Sequence, residues 1–194
     1  MLATVHHRTP QFLKLFTCRM ATLLPAILIY LLLAHGTSVA QTTTRPTNTT
    51  PSDAQKAFEK MKTLIGSCQG TVMNTSIDST LRLASSGNAI LNEANSAGGR
   101  PPNHEITMFY LDGDRLLATH YCDAGNRPRF EGKLSPDGNT IEFSLLDVSG
   151  DTQRGVVKRM AFTIIDANKH AVELTFIKPD GKPVDARGEF QRTQ

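Results

Sequence analysis

From Gly66 to Arg192 the chain alternates apolar and polar residues with a period of two, and that alternation most restricts what it can become. Ile141, Phe143 and Leu145 oppose Glu142 and Ser144. Val172, Leu174 and Phe176 oppose Glu173 and Thr175, and Phe130, Gly132 and Leu134 oppose Arg129, Glu131 and Lys133. A strand turns successive side chains to opposite faces, so each such run has one face for an interior and one for water. Turn residues interrupt the runs: Asp112-Gly113-Asp114, Gly125-Asn126, Pro136-Asp137-Gly138-Asn139, Asp166-Ala167-Asn168 and Pro179-Asp180-Gly181. Glycine and asparagine supply positive φ there, and aspartate bonds the local backbone. The pattern predicts strands at 67–74, 77–84, 88–94, 104–111, 115–122, 127–134, 140–147, 157–165, 170–177 and 184–192. About ten short strands joined by tight turns form an antiparallel up-and-down meander, which escapes exposed edges by closing into a barrel. A sandwich is the competing architecture.

One segment has helical period instead. Phe58, Met61, Leu64 and Ile65 form a stripe opposite Lys56, Glu59, Lys60 and Lys62. Ser52 and Gln55 have the spacing of a capping box, and Gly66 is the expected terminating residue. Such a short amphipathic helix, preceding the strands, serves as a lid or plug on the sheet.

Residues 1–40 read as an export leader. Arg8, Lys14 and Arg19 precede the apolar run Ala21–Ala34, and small residues Ser38 and Ala40 set an expected cleavage site before Gln41. The apolar run is short of the roughly 20 residues a bilayer span needs. The expected product is periplasmic or secreted, with no stable membrane insertion after cleavage. The organisation is then 1–40 signal peptide, 41–51 flexible linker and 52–194 a single barrel domain with its helix. All of the basic excess lies in the leader. Three of the 21 basic residues and none of the 18 acidic ones fall in residues 1–40, so the remainder is formally neutral. A general phosphate-attracting field needs a basic excess on the folded domain, so no nucleic-acid partner is expected.

Chemistry-bearing residues gather in Thr119-His120-Tyr121-Cys122-Asp123-Ala124-Gly125-Asn126-Arg127-Pro128-Arg129. Alternation puts His120 and Cys122 on one face, Thr119 and Tyr121 on the other, and the arginines beyond a turn. One reading makes this architecture, with His120 a satisfied interior histidine. The other makes it the polar part of a binding site: His120, Tyr110, Tyr121, Asn126, Arg127 and Arg129 around a small apolar or amphipathic ligand. A barrel of more than about eight strands leaves room for one. Two alternatives stay open. One is an isomerase or hydrolase using His120 with Cys122 or Tyr121; the other is a structural or interaction module. His104, His120 and His170 lie on separate strands without ligand spacing, so no metal set is expected. Cys68 starts the first strand and Cys122 ends the fifth, at opposite ends of a meander, so both should be free thiols.

The T-H-Y-C-x-x-G-N-x-P-R block, Thr119 to Arg129, resembles that of a secreted bacterial family of uncharacterised function with a calycin-like barrel, similar to lipocalins, fatty-acid-binding proteins and nitrobindins. Gly66-Ser67-Cys68-Gln69-Gly70 is similar to the G-x-W-x-G that opens such barrels. Cys68 replaces the tryptophan, and the chain has no tryptophan at all. The resemblance implies a calycin-like barrel fold and does not supply an activity. It does not extend to haem, because the nitrobindin histidine near the last strand has no counterpart in residues 184–192. No cofactor is expected.

Overall fold

The computed structural model describes residues 50–96 and 103–193. The leader, most of the linker and the 97–102 loop lie outside the described residues. Helix α1 (Asp53–Lys62) comes first. Ten strands follow: β1 (Gly66–Val72), β2 (Thr75–Ala84), β3 (Ala89–Ser96), β4 (Asn103–Asp112), β5 (Arg115–Tyr121), β6 (Asn126–Leu134), β7 (Thr140–Gly150), β8 (Val156–Ile164), β9 (Lys169–Ile177) and β10 (Pro183–Arg192). Each pairs with its neighbour in sequence, and β1 pairs with β10, so the sheet is a closed antiparallel barrel. Closure excludes the sandwich and gives every described strand a partner on both sides.

The capping box forms as its spacing requires. Gln55 N donates to Ser52 Oγ at 3.2 Å, and Ser52 N donates to Gln55 Oε1 at 2.8 Å. Ala54, Ala57, Phe58 and Met61 are buried, and the helix packs on β4, β5 and β6. The helix ends earlier than Gly66 suggests: it stops at Lys62 with Thr63 as its cap, while Gly66 opens β1 at φ 133°. The carbonyls of the last turn accept locally, Lys60 O from Thr63 N, Met61 O from Leu64 N and Lys62 O from Ile65 N. Arg192 then ties down the connection to β1, donating to Ile65 O at 2.6 Å and to Thr63 O at 3.2 Å in a charge-assisted pair.

Odd-numbered strands begin at the helix end and finish at the other. The half of the barrel under α1 is packed solid by Phe58, Met61, Leu81, Ile90, Leu116, Phe130 and Ile141. Phe109, Phe143 and Phe162 meet at the waist with centroids 5.2, 5.6 and 6.1 Å apart, two of the three contacts edge-to-face. Gly132 matters to this packing: a Cβ there would come within 2.5 Å of the Phe143 ring. Beyond the three rings the interior opens. Cys68 is buried toward the helix end and Cys122 lies at the far end of β5; both are free thiols.

Candidate functional site

The β4–β5 hairpin turns on Asp112–Arg115, and its register sets Thr107 opposite His120. Both face inward. Thr107 Oγ1 lies 2.9 Å from His120 Nδ1, and both residues are buried. They stand on the wall of a cavity of about 170 Å³ in the half of the barrel away from α1. Its apolar surface comes from Val72, Ile77, Met160, Phe162, Val172, Leu174 and Phe190, its polar surface from Ser79, Asn92, Glu105, Thr107 and His120. Ser79 Oγ donates to Asn92 Oδ1 at 2.8 Å, which fixes the second polar pair across β2 and β3.

Burial decides the charge state of the polar cluster. It lowers the His120 pKa to about 4, against the opposing pull of Asp123, so the imidazole is neutral at ordinary pH. Burial raises Glu105 above the usual carboxylate range, and the neighbouring Asp123 carboxylate pushes the same way. Cys122 is pushed up to about 12, first by burial and further by Glu105 and Asp123. The Cys122 thiol lies 3.6 Å from Glu105 Oε1 and 3.7 Å from Asp123 Oδ1, and its proton can go to either. A nucleophilic cysteine needs a positive neighbour to become thiolate. Here the partners are carboxylates, and they keep the proton on sulfur.

The barrel wall divides the residues singled out in the sequence. His120 lines the cavity. Tyr110 and Thr119 sit on the outer surface with their hydroxyls 3.5 Å apart. Beside them Arg129 donates from Nε to Asp147 at 2.9 Å in an exposed pair. Tyr121 is 49% exposed, and Arg127 also points to solvent. Asn126 is buried but does a different job. Its Nδ2 donates to the carbonyls of Asp151 and Gly155 at 2.9 and 2.8 Å, and its backbone carbonyl accepts from Cys122 N at 3.1 Å. It therefore staples the β5–β6 turn to the β7–β8 loop. Gly150 completes that contact at φ 93°, since a Cβ there would meet Gly125 O at 2.6 Å. Of the polar cavity groups named above, sequence reasoning found His120 and missed Ser79, Asn92, Glu105 and Thr107. The signal for Thr107 was the β4–β5 turn, from which its pairing with His120 can be counted.

Fold and site together define a closed ten-stranded antiparallel barrel, plugged by a helix at one end and hollow at the other. No protein-family model matches the chain, and no curated protein matches it in sequence. Solved structures do match. Rv2717c from M. tuberculosis aligns with a TM-score of 0.57 and 14% identity over 71% of this chain and 98% of its own. That identity shows a shared fold and nothing finer. EF1p2_mFAP2b bound to DFHBI aligns over 73% of this chain and 100% of its own, at 12% identity and TM-score 0.35. A protein of unknown function from the DUF3598 family of Nostoc punctiforme aligns over 69% and 48%, at 10% identity and TM-score 0.34. These two superpose too loosely to carry an argument.

Proposed function

We propose that the chain is an exported barrel, periplasmic or secreted, that binds one small apolar or amphipathic molecule in the cavity opposite α1. Membership of the secreted family with the T-H-Y-C-x-x-G-N-x-P-R block belongs to the same proposal. The observation that carries it is the composition of the cavity: a mostly apolar wall with a neutral imidazole, a threonine hydroxyl and a carboxyl grouped on one side. Pockets that orient ligands have this make-up, since burial supplies affinity and a few placed polar groups supply direction. An apolar cavity of about 150 Å³ holds a single benzene ring. The volume here, about 170 Å³, therefore suits one ring or a short acyl chain. His120 is the cavity group that orients a ligand's polar end. The arginines and tyrosines outside the wall do not reach it.

Native mass spectrometry of protein purified from its own host should show a bound organic molecule of that size. Ala94 lines the cavity, so Ala94→Phe should fill it and weaken binding at least tenfold while the barrel stays folded. An unliganded mass together with no binding of medium-chain fatty acids or single-ring aromatics would sink the proposal. The exposed large apolar residues Met73, Leu83, Tyr121, Leu146 and Ile165 lie on separate elements, which gives no comparable support to a docking module.

A further inference from the structure

The ladder that sets Thr107 opposite His120 ends one step further on, at Ile106 and Tyr121, and just past it the Cys122 thiol meets the Glu105 carboxylate at 3.6 Å. The open end of the hairpin thus brings an imidazole, a carboxylate and a thiol to a single spot. Their donor atoms all lie within 4.8 Å of one another. We propose that Glu105, His120 and Cys122 bind a zinc-like divalent transition-metal ion on the wall of the cavity.

The distances already suit an ion. Zinc sits about 2.0–2.3 Å from oxygen, nitrogen and sulfur ligands, so tetrahedral ligands stand roughly 3.4–3.6 Å from each other. Cys122 Sγ is 3.6 Å from Glu105 Oε1, and His120 Nε2 is 3.8 Å from Glu105 Oε2. The second of these is too long for a hydrogen bond. A buried ring nitrogen is therefore aimed at a carboxylate that it does not bond, with room between them for a small cation.

Donor chemistry points the same way. One nitrogen, one oxygen and one sulfur form a borderline-soft set, which favours zinc-like ions over magnesium or calcium. Metal-bound histidines are held by a partner on the other ring nitrogen, and Thr107 Oγ1, 2.9 Å from Nδ1, is placed to accept from it once Nε2 holds the ion. Asp123 adds negative charge beside the sulfur, with Oδ1 3.7 Å away. Arg154 reaches this region but donates to the Asp123 carbonyl at 2.9 Å, leaving the carboxylates free of it. Glu105 and His120 also line the cavity, so a three-ligand ion would turn its remaining position toward whatever enters. The site stands on this geometry whether or not an organic ligand binds.

Cobalt(II) added to the full, EDTA-stripped protein is the test. Expected is one-to-one saturable binding with a thiolate-to-cobalt charge-transfer band, reversed by zinc. Cys122→Ser should abolish the band, and Glu105→Gln should weaken binding at least tenfold. Cys68→Ser, at the opposite end of the barrel, should leave both unchanged. Thermal melts in EDTA check that each variant is folded before titration. Absence of saturable binding in the wild-type protein, or a band that survives Cys122→Ser, would overturn the site. No organic ligand enters this measurement, so its failure would leave cavity binding standing.

Discussion

His170 shows how much one interior side chain can govern. It is buried, its ring stacks on Phe190 with centroids 5.4 Å apart, and burial, with help from Arg192, lowers its pKa to about 4. The unfolded chain holds that proton from about pH 6.5 downward. Between pH 6.5 and 4 the unfolded state therefore binds more protons, and stability falls as pH falls. The contribution is whole above about pH 6.5 and is lost toward pH 4, at most about 3 kcal/mol for this one group. Urea denaturation in EDTA should show the loss, and His170→Leu should roughly halve the slope across that window, the remainder belonging to His120. A slope unchanged by the substitution would assign the acid sensitivity elsewhere. At this scale the sequence was half legible. Alternation pairs His120 with Cys122 without any structure. It also separates them from Tyr121, and the structure shows that separation as a barrel wall. Glu105 was not legible, because its part depends on cross-strand register, and counting histidines alone passes over a hairpin that mixes donor types.

At the scale of elements, α1 is the part whose role is easiest to test. Phe58 sits on its buried stripe against the packed half of the barrel. Phe58→Ala should cost about 3–5 kcal/mol in a denaturant titration, and hydrogen exchange in α1 should speed up before that of the strands. Equal acceleration everywhere would mean that helix and barrel unfold as one unit. Strand positions were readable because period and turn residues agree at each hairpin, and β4 to β6 lie within a residue or so of their expected bounds. The helix terminus was not readable. Its carbonyls are closed off by Thr63, Leu64 and Ile65 N before Gly66 is reached, and no local residue announces that Ile65 O is held by a partner 127 residues away in sequence. Two bulges also escaped notice, near Arg129–Phe130 and Val157–Arg159, where the ladder slips by a residue that alternation alone does not mark.

Across the whole molecule, the barrel was legible as a way to remove strand edges, but the choice over a sandwich rests on β1 meeting β10. Arg192 fastens that seam, and Thr193 N adds a bond to Ser67 O at 2.9 Å. Arg192→Met keeps the aliphatic stem and removes the charge-assisted bonds, and should lower stability by about 2 kcal/mol. A thermal melt checks it; an unchanged midpoint would show that strand pairing alone holds the seam.

The same seam has a consequence for timing. The first strand made must wait for the last before its free side is satisfied, and pairings that span most of the chain form slowly. During synthesis the polypeptide therefore lingers as an open, threadable ribbon until Arg192 has emerged. That delay suits the export proposed above, because a translocation pore admits a chain that has not yet closed.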